Sequence, residues 1–489
     1  MRCLRIAMMI MLLSGVSQHA VAEALKRGSL PARLDAVLRA PPLERARVSA
    51  LVVRDSDGEV LYAHDPDRAL TPASNMKIFT AIAALDAFGP AHRFVTRILT
   101  DQAPDAEGSV GDLFVVGGGD PVLNSEDWWR LAGELRRMGI SRVTGNLVVD
   151  DSVLDAQRWH PSWGKTSSRA YHAPVGGLTA NYGSFSVTVV PGAVAGAPVR
   201  AVVDPPVPYL RVSNRARTGA GESRNTLAVD RRAGESRELV TLEGVVPAGS
   251  KPQVLYRSVL DPSAYAASVF RWQLAANGIE VEGKDLRGRA PNDAVELLAF
   301  EGRSMAEIVR LFVKYSNNAV AETLVKAIGL KDRGQGSWSA GVPAFQERLR
   351  TLGLAEDGLV VVDGSGLSYS NKVSARTLVS ALRLAHRSFR LGPELRVALP
   401  LAGRDGTLRR RAGKARGRIR AKTGLLTQVT GLSGYAQLAD GSAATFSILV
   451  NGYRGRDEEA MAAVDRFVEE LVRASPRQPR RRKFGPKGS

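Results

Sequence analysis

Cysteine is all but missing from this 489-residue chain, which carries one copy, Cys3. That excludes a disulfide framework and thiol catalysis in the body of the protein and leaves its stability to ordinary apolar cores. Histidine is scarce as well, with six copies. His64, His92, His160, His172 and His386 are scattered without ligand spacing, and no Gly-x-Ser-x-Gly elbow occurs. Neither a metal centre, a cofactor nor a Ser-His-Asp hydrolase is indicated. After the N-terminus there is no uninterrupted apolar stretch of membrane-spanning length. Acidic residues are in short supply, with 49 Asp plus Glu against 67 Lys plus Arg and a formal charge of +18. A surplus of that size suggests an acidic partner such as nucleic acid, anionic lipid or an anionic polymer.

What is present narrows those options. The opening segment MRCLRIAMMIMLLSGVSQHAVAEA combines basic Arg2 and Arg5, a short apolar run from Ile6 to Val16, and Ala20-Val21-Ala22 as a small-x-small cleavage site. This reads as a signal peptide over 1–22, export and a periplasmic location, which argues against nucleic acid. Cys3 precedes the apolar run, so it is not a lipid-modified cysteine at the cleavage site. The positive charge gathers in two places, Arg409 to Arg420 and the tail 475–489. The tail, rich in Pro, Gly and Arg without apolar periodicity, is expected to be disordered. Its six cations, Arg477, Arg480, Arg481, Arg482, Lys483 and Lys487, suit an anionic membrane or wall polymer at about 1 kcal/mol each.

Periodicity divides the rest. VSALVVRDSDGEVLYAH predicts two strands around an Asp57-Gly58 turn. TPASNMKIFTAIAAL then predicts a helix with Thr71 as cap and Pro72 in its first turn, apolar over most of its circumference and therefore buried. From about Phe88 to Arg289, short β-like runs are broken by Gly and Pro, with helical stretches near Glu126–Met138 and Ala264–Asn277. Helices resume at Ser304, where SMAEIVRLFVKYS ends in Ser316-Asn317-Asn318 and AVAETLVKAI restarts. AKTGLL leads into two strands around Asp440-Gly441, and DEEAMAAVDRFVEELVRA closes as an amphipathic helix. The simplest assembly joins the N-terminal hairpin and the C-terminal strands in one antiparallel sheet, with the β-rich segment inserted as a separate lobe.

Three short motifs stand in order: Ser74-x-x-Lys77, Ser316-x-Asn318 and Lys422-Thr423-Gly424. Each alone is weak. Ser-x-x-Lys recurs at Ser162 and Lys165, where Pro161 and Gly164 favour a loop over a helical register. Together, with 242 residues from Ser74 to Ser316 and 106 from Ser316 to Lys422, they resemble the motif set of penicillin-binding proteins and class A β-lactamases. The first interval is too long for a compact β-lactamase. With GGGDPVL at Gly117, GNLVVDDSVLD at Gly145, YHAPVGGL at Tyr171, VDGSGLS at Val362 and GRDGTLRRR at Gly403, the chain resembles the D-alanyl-D-alanine carboxypeptidase/endopeptidase family of low-molecular-mass class C penicillin-binding proteins.

The resemblance implies an α+β fold: a serine β-lactamase/transpeptidase-like domain, an antiparallel sheet with helices, carrying a large mostly β insertion of two subdomains. Its expected limits are 23–89 and 292–474 for the catalytic domain and 90–291 for the insertion. It also implies D,D-peptidase activity on peptidoglycan stem peptides and covalent binding of β-lactam antibiotics. An amide hydrolase of this kind needs a nucleophile, a base and a leaving-group acid. Ser74 is the nucleophile. Lys77 can take its proton only if its pKa falls from roughly 10.4 to near 7, a cost of roughly 4 kcal/mol. Burial and a second cation, Lys422, can do this, while Ser316 relays a proton and Asn318 holds Lys77 and the substrate. The resemblance further implies an oxyanion site from the backbone N–H groups of Ser74 and Leu425, with Thr423, Gly424, Leu425 and Tyr369 contacting substrate. Three positions depart from the family pattern: Leu425 where Thr or Ser is common, Tyr369 where Arg is common, and Lys165–Ser168 where acidic residues are common. Two other readings stay open at this point, a β-lactamase or esterase of the same fold and a catalytically weak wall-binding scaffold.

Overall fold

The structure, a computed structural model, describes residues 28–473 except Ser236 and Glu356. The expected leader, Cys3 and the tail 475–489 lie outside the described residues. No helix among the described residues is long and apolar enough to cross a membrane.

A five-stranded antiparallel sheet joins the two ends of the described chain, in the order Ile419–Leu426, Val429–Gln437, Ala443–Asn451, Arg47–Arg54, Val60–His64. Arg47 lies opposite Asn451 and Arg54 opposite Ala444, so strands some 400 positions apart in sequence are neighbours. The central strands are apolar at successive positions because both faces are covered. On one face pack the helices Leu30–Leu38 and Asp457–Val472, through Leu34, Phe467 and Val468 against Phe446 and Ile448. On the other packs the helix Ala375–Arg387, which Ser374 caps by accepting the Thr377 N–H at 3.0 Å.

Behind this sheet the helix Lys77–Phe88 is enclosed by the helices Met305–Tyr315, Asn318–Arg333 and Trp338–Thr351. Every residue from Lys77 to Leu85 is buried, as its nearly all-round apolar sequence predicts. Its start differs from expectation. Ala73–Met76 form a 3-10 turn, and the α-helix begins only at Lys77. Thr71 does not cap it, because its hydroxyl donates to the Tyr369 carbonyl at 3.0 Å and its N–H to Asn451 Oδ1 at 2.9 Å. Those tertiary bonds and a left-handed Ala73, with φ +48°, hold the turn against the sheet. The helices Leu30–Leu38, Trp338–Thr351, Ala375–Arg387 and Gly392–Ala398 are additions to the sequence reading.

The chain leaves this body along strand Arg93–Thr100 and returns along Val295–Ser304, which pairs with it antiparallel. Between them lies a lobe of small sheets. Its largest has the order Asp285–Arg287, Leu147–Asp150, Leu113–Val116, Arg93–Thr100, Val295–Ser304 and mixes parallel with antiparallel pairs. The helices Ser125–Arg137 and Pro262–Ala276 pack together, with Trp128 against Phe270, in one apolar cluster that extends into the neighbouring sheet Gln253–Ser258, Ser184–Val190, Arg200–Asp204.

Candidate active site

Ser74 and Lys77 face one another across the 3-10 turn, with Lys77 Nζ 3.0 Å from Ser74 Oγ. The same nitrogen donates to Asn318 Oδ1 and to the Ser365 carbonyl, each at 2.6 Å. Lys77 has no exposed surface, and all three partners are neutral oxygens. Burial therefore pushes the Lys77 ammonium down to about 7, although Asp363 and Glu322 pull the other way. A neutral amine has two N–H donors and one lone pair. With the donors committed to two carbonyl-type oxygens that can only accept, the lone pair is left for the Ser74 hydroxyl.

Ser316 and Asn318 occupy the turn between two helices. The helix Met305–Tyr315 opens with a reciprocal cap between Ser304 and Glu307 and closes on Ser316 in the left-handed region, at φ +60°. Asn317 then caps the next helix by accepting the Val320 N–H at 3.0 Å. This leaves Ser316 Oγ facing the sheet, where Lys422 Nζ donates to it at 2.9 Å and to the Thr423 carbonyl at 2.8 Å. Lys422 is fully buried too, and burial, reinforced by the Lys77 and Arg411 cations, holds it well below the usual lysine range. Asn318 is oriented by its other end: Nδ2 donates to the carbonyl of Tyr171, in the inserted lobe, at 2.8 Å.

Gly424 shows why the strand motif ends as it does. A Cβ there would lie 2.6 Å from Asn75 Nδ2 and 2.7 Å from the Pro72 carbonyl. Only glycine lets the strand press against the turn that carries Ser74. Hydrogen bonds thus join Ser74, Lys77 and Asn318 in one group and Ser316 and Lys422 in another, and the two groups meet at the turn Ser316–Asn318. Thr423, Leu425 and Tyr369 line an adjoining cleft of about 660 Å³ together with Ser74 and Ser316. The Thr423 hydroxyl donates to Thr407 Oγ1 at 2.8 Å, and Tyr369 Oη accepts the Thr427 N–H at 3.1 Å at the edge of the cleft.

Several participants were not assigned from sequence. Asp363 is buried and accepts from Gly366 N–H, Ser368 N–H, Asn371 Nδ2 and Trp163 Nε1, all within 2.7–2.9 Å. Glu322 accepts from Ser365 N–H at 2.7 Å and Trp338 Nε1 at 2.8 Å, and burial beside Asp363 pushes its carboxyl up to about 7. These two acids fix the strap whose Ser365 carbonyl holds Lys77. For Glu322 a signal was present: Asn318, Glu322 and Lys326 form a polar stripe at spacing four in a helix whose other residues are largely apolar. The Pro161–Trp163 segment is a short 3-10 turn followed by Gly164, so Ser162-x-x-Lys165 has no nucleophile geometry, yet Ser162, Trp163 and Lys165 line the cleft. Arg411, within the basic run Arg409 to Arg420, also lines the cleft and pairs with Asp465 at 2.9 Å.

The family described as D-Ala-D-Ala carboxypeptidase 3 (S13) matches residues 30–471. A D-alanyl-D-alanine carboxypeptidase of Actinomadura sp. (strain R39) is 39% identical over 439 residues, which cover 86% of this chain and 81% of the relative. The crystal structure of penicillin binding protein 4 (dacB) from Haemophilus influenzae has a TM-score of 0.77 at 25% identity and covers 90% of this chain and 98% of that one. The same protein complexed with a novel β-lactam gives a TM-score of 0.72 at 25% identity over the same shares of the two chains.

Gly366 tests how tightly the strap sets Ser74. Its φ is +80°, and a Cβ there would fall 1.9 Å from the Ala73 carbonyl. Gly366→Ala should lower stability by about 1–3 kcal/mol from the left-handed backbone alone and, if a group on this turn reacts, slow acylation by a β-lactam about 10²-fold, since displacement near 1 Å has that effect. Denaturant melts and acylation kinetics read the two separately. Unchanged acylation would mean that the strap does not position a reacting group on the turn 73–76.

Proposed function

Since the chain belongs to the D-Ala-D-Ala carboxypeptidase 3 (S13) family and is a serine D,D-peptidase with the transpeptidase-like α+β fold, we propose that Ser74 is its nucleophile, with terminal D-alanine and D-alanyl cross-links of peptidoglycan stem peptides as the bonds cut. The observation that carries the assignment is the buried Lys77 amine, 3.0 Å from Ser74 Oγ with both its N–H bonds committed elsewhere.

In this reading Ser74 Oγ attacks the carbonyl carbon of the penultimate D-alanine while its proton passes to Lys77 Nζ. The backbone N–H groups of Ser74 and Leu425 hold the oxyanion. As the C–N bond breaks, Ser316 passes a proton to the departing amine, and Lys422, 2.9 Å from Ser316, replaces it. The proton held by Lys77 is passed on to make good the one Lys422 gave, which leaves Lys77 again a free base; water then attacks the acyl carbon as its proton passes to Lys77, and that proton returns to Ser74 Oγ as the ester C–O bond breaks and the acid leaves. Asn318 keeps Lys77 aimed and ties it to the lobe through Tyr171. Thr423 and Arg411 are the groups in the cleft suited to the substrate's terminal carboxylate. The chain's own division is proposed as 23–89 with 292–474 for catalysis and 90–291 for the lobe, and export with removal of 1–22 brings the enzyme to its periplasmic substrate. The tail 475–489 adds a charge-based hold on an anionic membrane or wall polymer.

Fluorescent penicillin followed by mass spectrometry should find an adduct on Ser74 that persists for minutes or longer. Absence of the adduct on folded protein would sink the nucleophile assignment, and adduct turnover within seconds would favour a β-lactamase.

The Lys77 value sets a pH dependence. Below about 7 the amine is protonated and cannot accept the serine proton; above it the free base predominates. Acylation kcat/KM should therefore fall nearly tenfold per pH unit below 7 and level off above about 8. Lys77→Ala should lose about 10²–10⁴-fold. A flat profile from pH 5.5 to 8.5 would exclude Lys77 as the base.

Recognition separates from this chemistry. Leu425 is 44% exposed in the cleft and offers no hydroxyl, and Tyr369 replaces a charged partner with a neutral one. Among the residues lining the cleft, Lys165 and Arg411 are cationic and only Asp457 is acidic. Charge-assisted bonds are roughly twice as strong as neutral ones, so peptides with a free, zwitterionic diaminopimelate-type end should be weak substrates. Leu425→Thr and Tyr369→Arg should each raise kcat/KM on such peptides several-fold while leaving β-lactam acylation within about twofold. Strong preference for those peptides in the unmodified enzyme, with no gain from either substitution, would refute this account.

A further inference from the structure

A groove of about 1010 Å³, larger than the catalytic cleft, opens where the lobe meets the helix Met305–Tyr315. Resting on the peptidoglycan reading above, we infer that this groove binds the glycan strand, the polymer of N-acetylated amino sugars, whose stem peptide lies in the cleft.

Continuity is the first argument. Tyr315 and Asn317 line the groove and flank Ser316, while Ala170 lines it and precedes Tyr171, whose carbonyl holds Asn318. A polymer lying in the groove would thus pass within a residue or two of the reacting centre on both walls. The second argument is the distribution of aromatic side chains. Aromatics make up 6% of the sequence, yet Trp129, Tyr256, Tyr315 and Trp272 meet here, 53%, 61%, 67% and 36% exposed. Large apolar rings left in water at one continuous surface mark a binding site. A pyranose ring offers an apolar C–H face and a rim of hydroxyls, and indole and phenol rings combine a flat apolar body with a polar tip.

Charge decides between candidate polymers. In a chain of net +18, the groove lining contains no lysine or arginine, and its ionisable acids are Glu126 and Asp204. Phosphate-rich polymers and free stem peptides, which carry carboxylates, would face acids there without a compensating cation. A glycan whose lactyl carboxylates are tied up in amide bonds is neutral, and its hydroxyls can donate to Glu126 and Asp204. The floor is preformed: Asn181 and Tyr182 both have left-handed backbones, and Asn181 Oδ1 accepts the Ser125 N–H at 2.9 Å, tying the floor to the helix that carries Trp129.

The experiment first blocks Ser74 with a β-lactam, then titrates the acylated full chain with glycan strands whose stem peptides are removed and whose lactyl carboxylates are re-capped as simple amides, and follows tryptophan fluorescence. Saturable quenching is expected, because the groove stays open when the cleft is filled. The double variant Trp129→Ala/Tyr256→Ala should weaken glycan binding at least tenfold and raise KM on intact sacculi. Hydrolysis of a small D-alanyl-D-alanine peptide and β-lactam acylation should be unchanged. Tyr256→Ala alone, on an exposed strand position, provides a milder variant should the double one melt early. No saturable response from the acylated wild type, equal affinity in a folded variant, or competition by free cross-linked peptides with no effect of glycan would overturn the inference. Loss of the serine-peptidase reading has a different signature, an absence of acylation and of small-peptide hydrolysis in the wild type.

Discussion

A lysine amine without exposed surface, held by two oxygens that can only accept, is the constraint on which the architecture around Ser74 depends. Desolvation alone would expel such a group or force it to pair with a carboxylate. Here the nearest acids act at one remove. Asp363 and Glu322 spend their hydrogen-bonding capacity on the strap 363–368 and on Trp163 and Trp338, and the strap presents the Ser365 carbonyl to Lys77. The acids keep the lysine in place without forming the close ion pair that would fix its proton. The same burial requires the helix Lys77–Phe88 to be enclosed on all sides, which the surrounding helices and the sheet accomplish.

The second lysine extends the argument across the sheet. Lys422 approaches Ser316 because the strand Ile419–Leu426 can press on the turn at Pro72–Asn75, and it can press there because Gly424 has no side chain. Two buried cations near one another disfavour double protonation, and the Lys77 charge adds to burial in holding Lys422 low. The lobe is part of this assembly. Tyr171 fixes the Asn318 amide and Trp163 donates to Asp363, so a segment that is distant in sequence completes the support of the buried Lys77 amine. Recognition is separate: the cleft wall that carries Leu425, Tyr369, Lys165 and Arg411 can vary without touching the hydrogen bonds around Lys77.

The sequence by itself determined the local elements and supplied the residues proposed to react. Apolar runs and turn residues located both hairpins of the sheet and the helices 125–137, 262–276, 305–315 and 457–472 to within a few residues, because each depends on neighbours in the chain. The order and residue types of the three motifs singled out Ser74, Lys77, Ser316, Asn318 and Lys422 as the candidates that the structure brings to one place, since amide cleavage needs a nucleophile, a base and a proton relay whatever the fold. The tertiary structure alone decided that Ser74 sits in a 3-10 turn and not in the α-helix, because Thr71 is bound to Asn451 and Tyr369, 380 and 298 positions away. It also decided the roles of Glu322, Asp363 and the Ser365 and Tyr171 carbonyls. A backbone carbonyl has no residue identity to read, and a buried acid reveals its function only when packing shows which donors reach it.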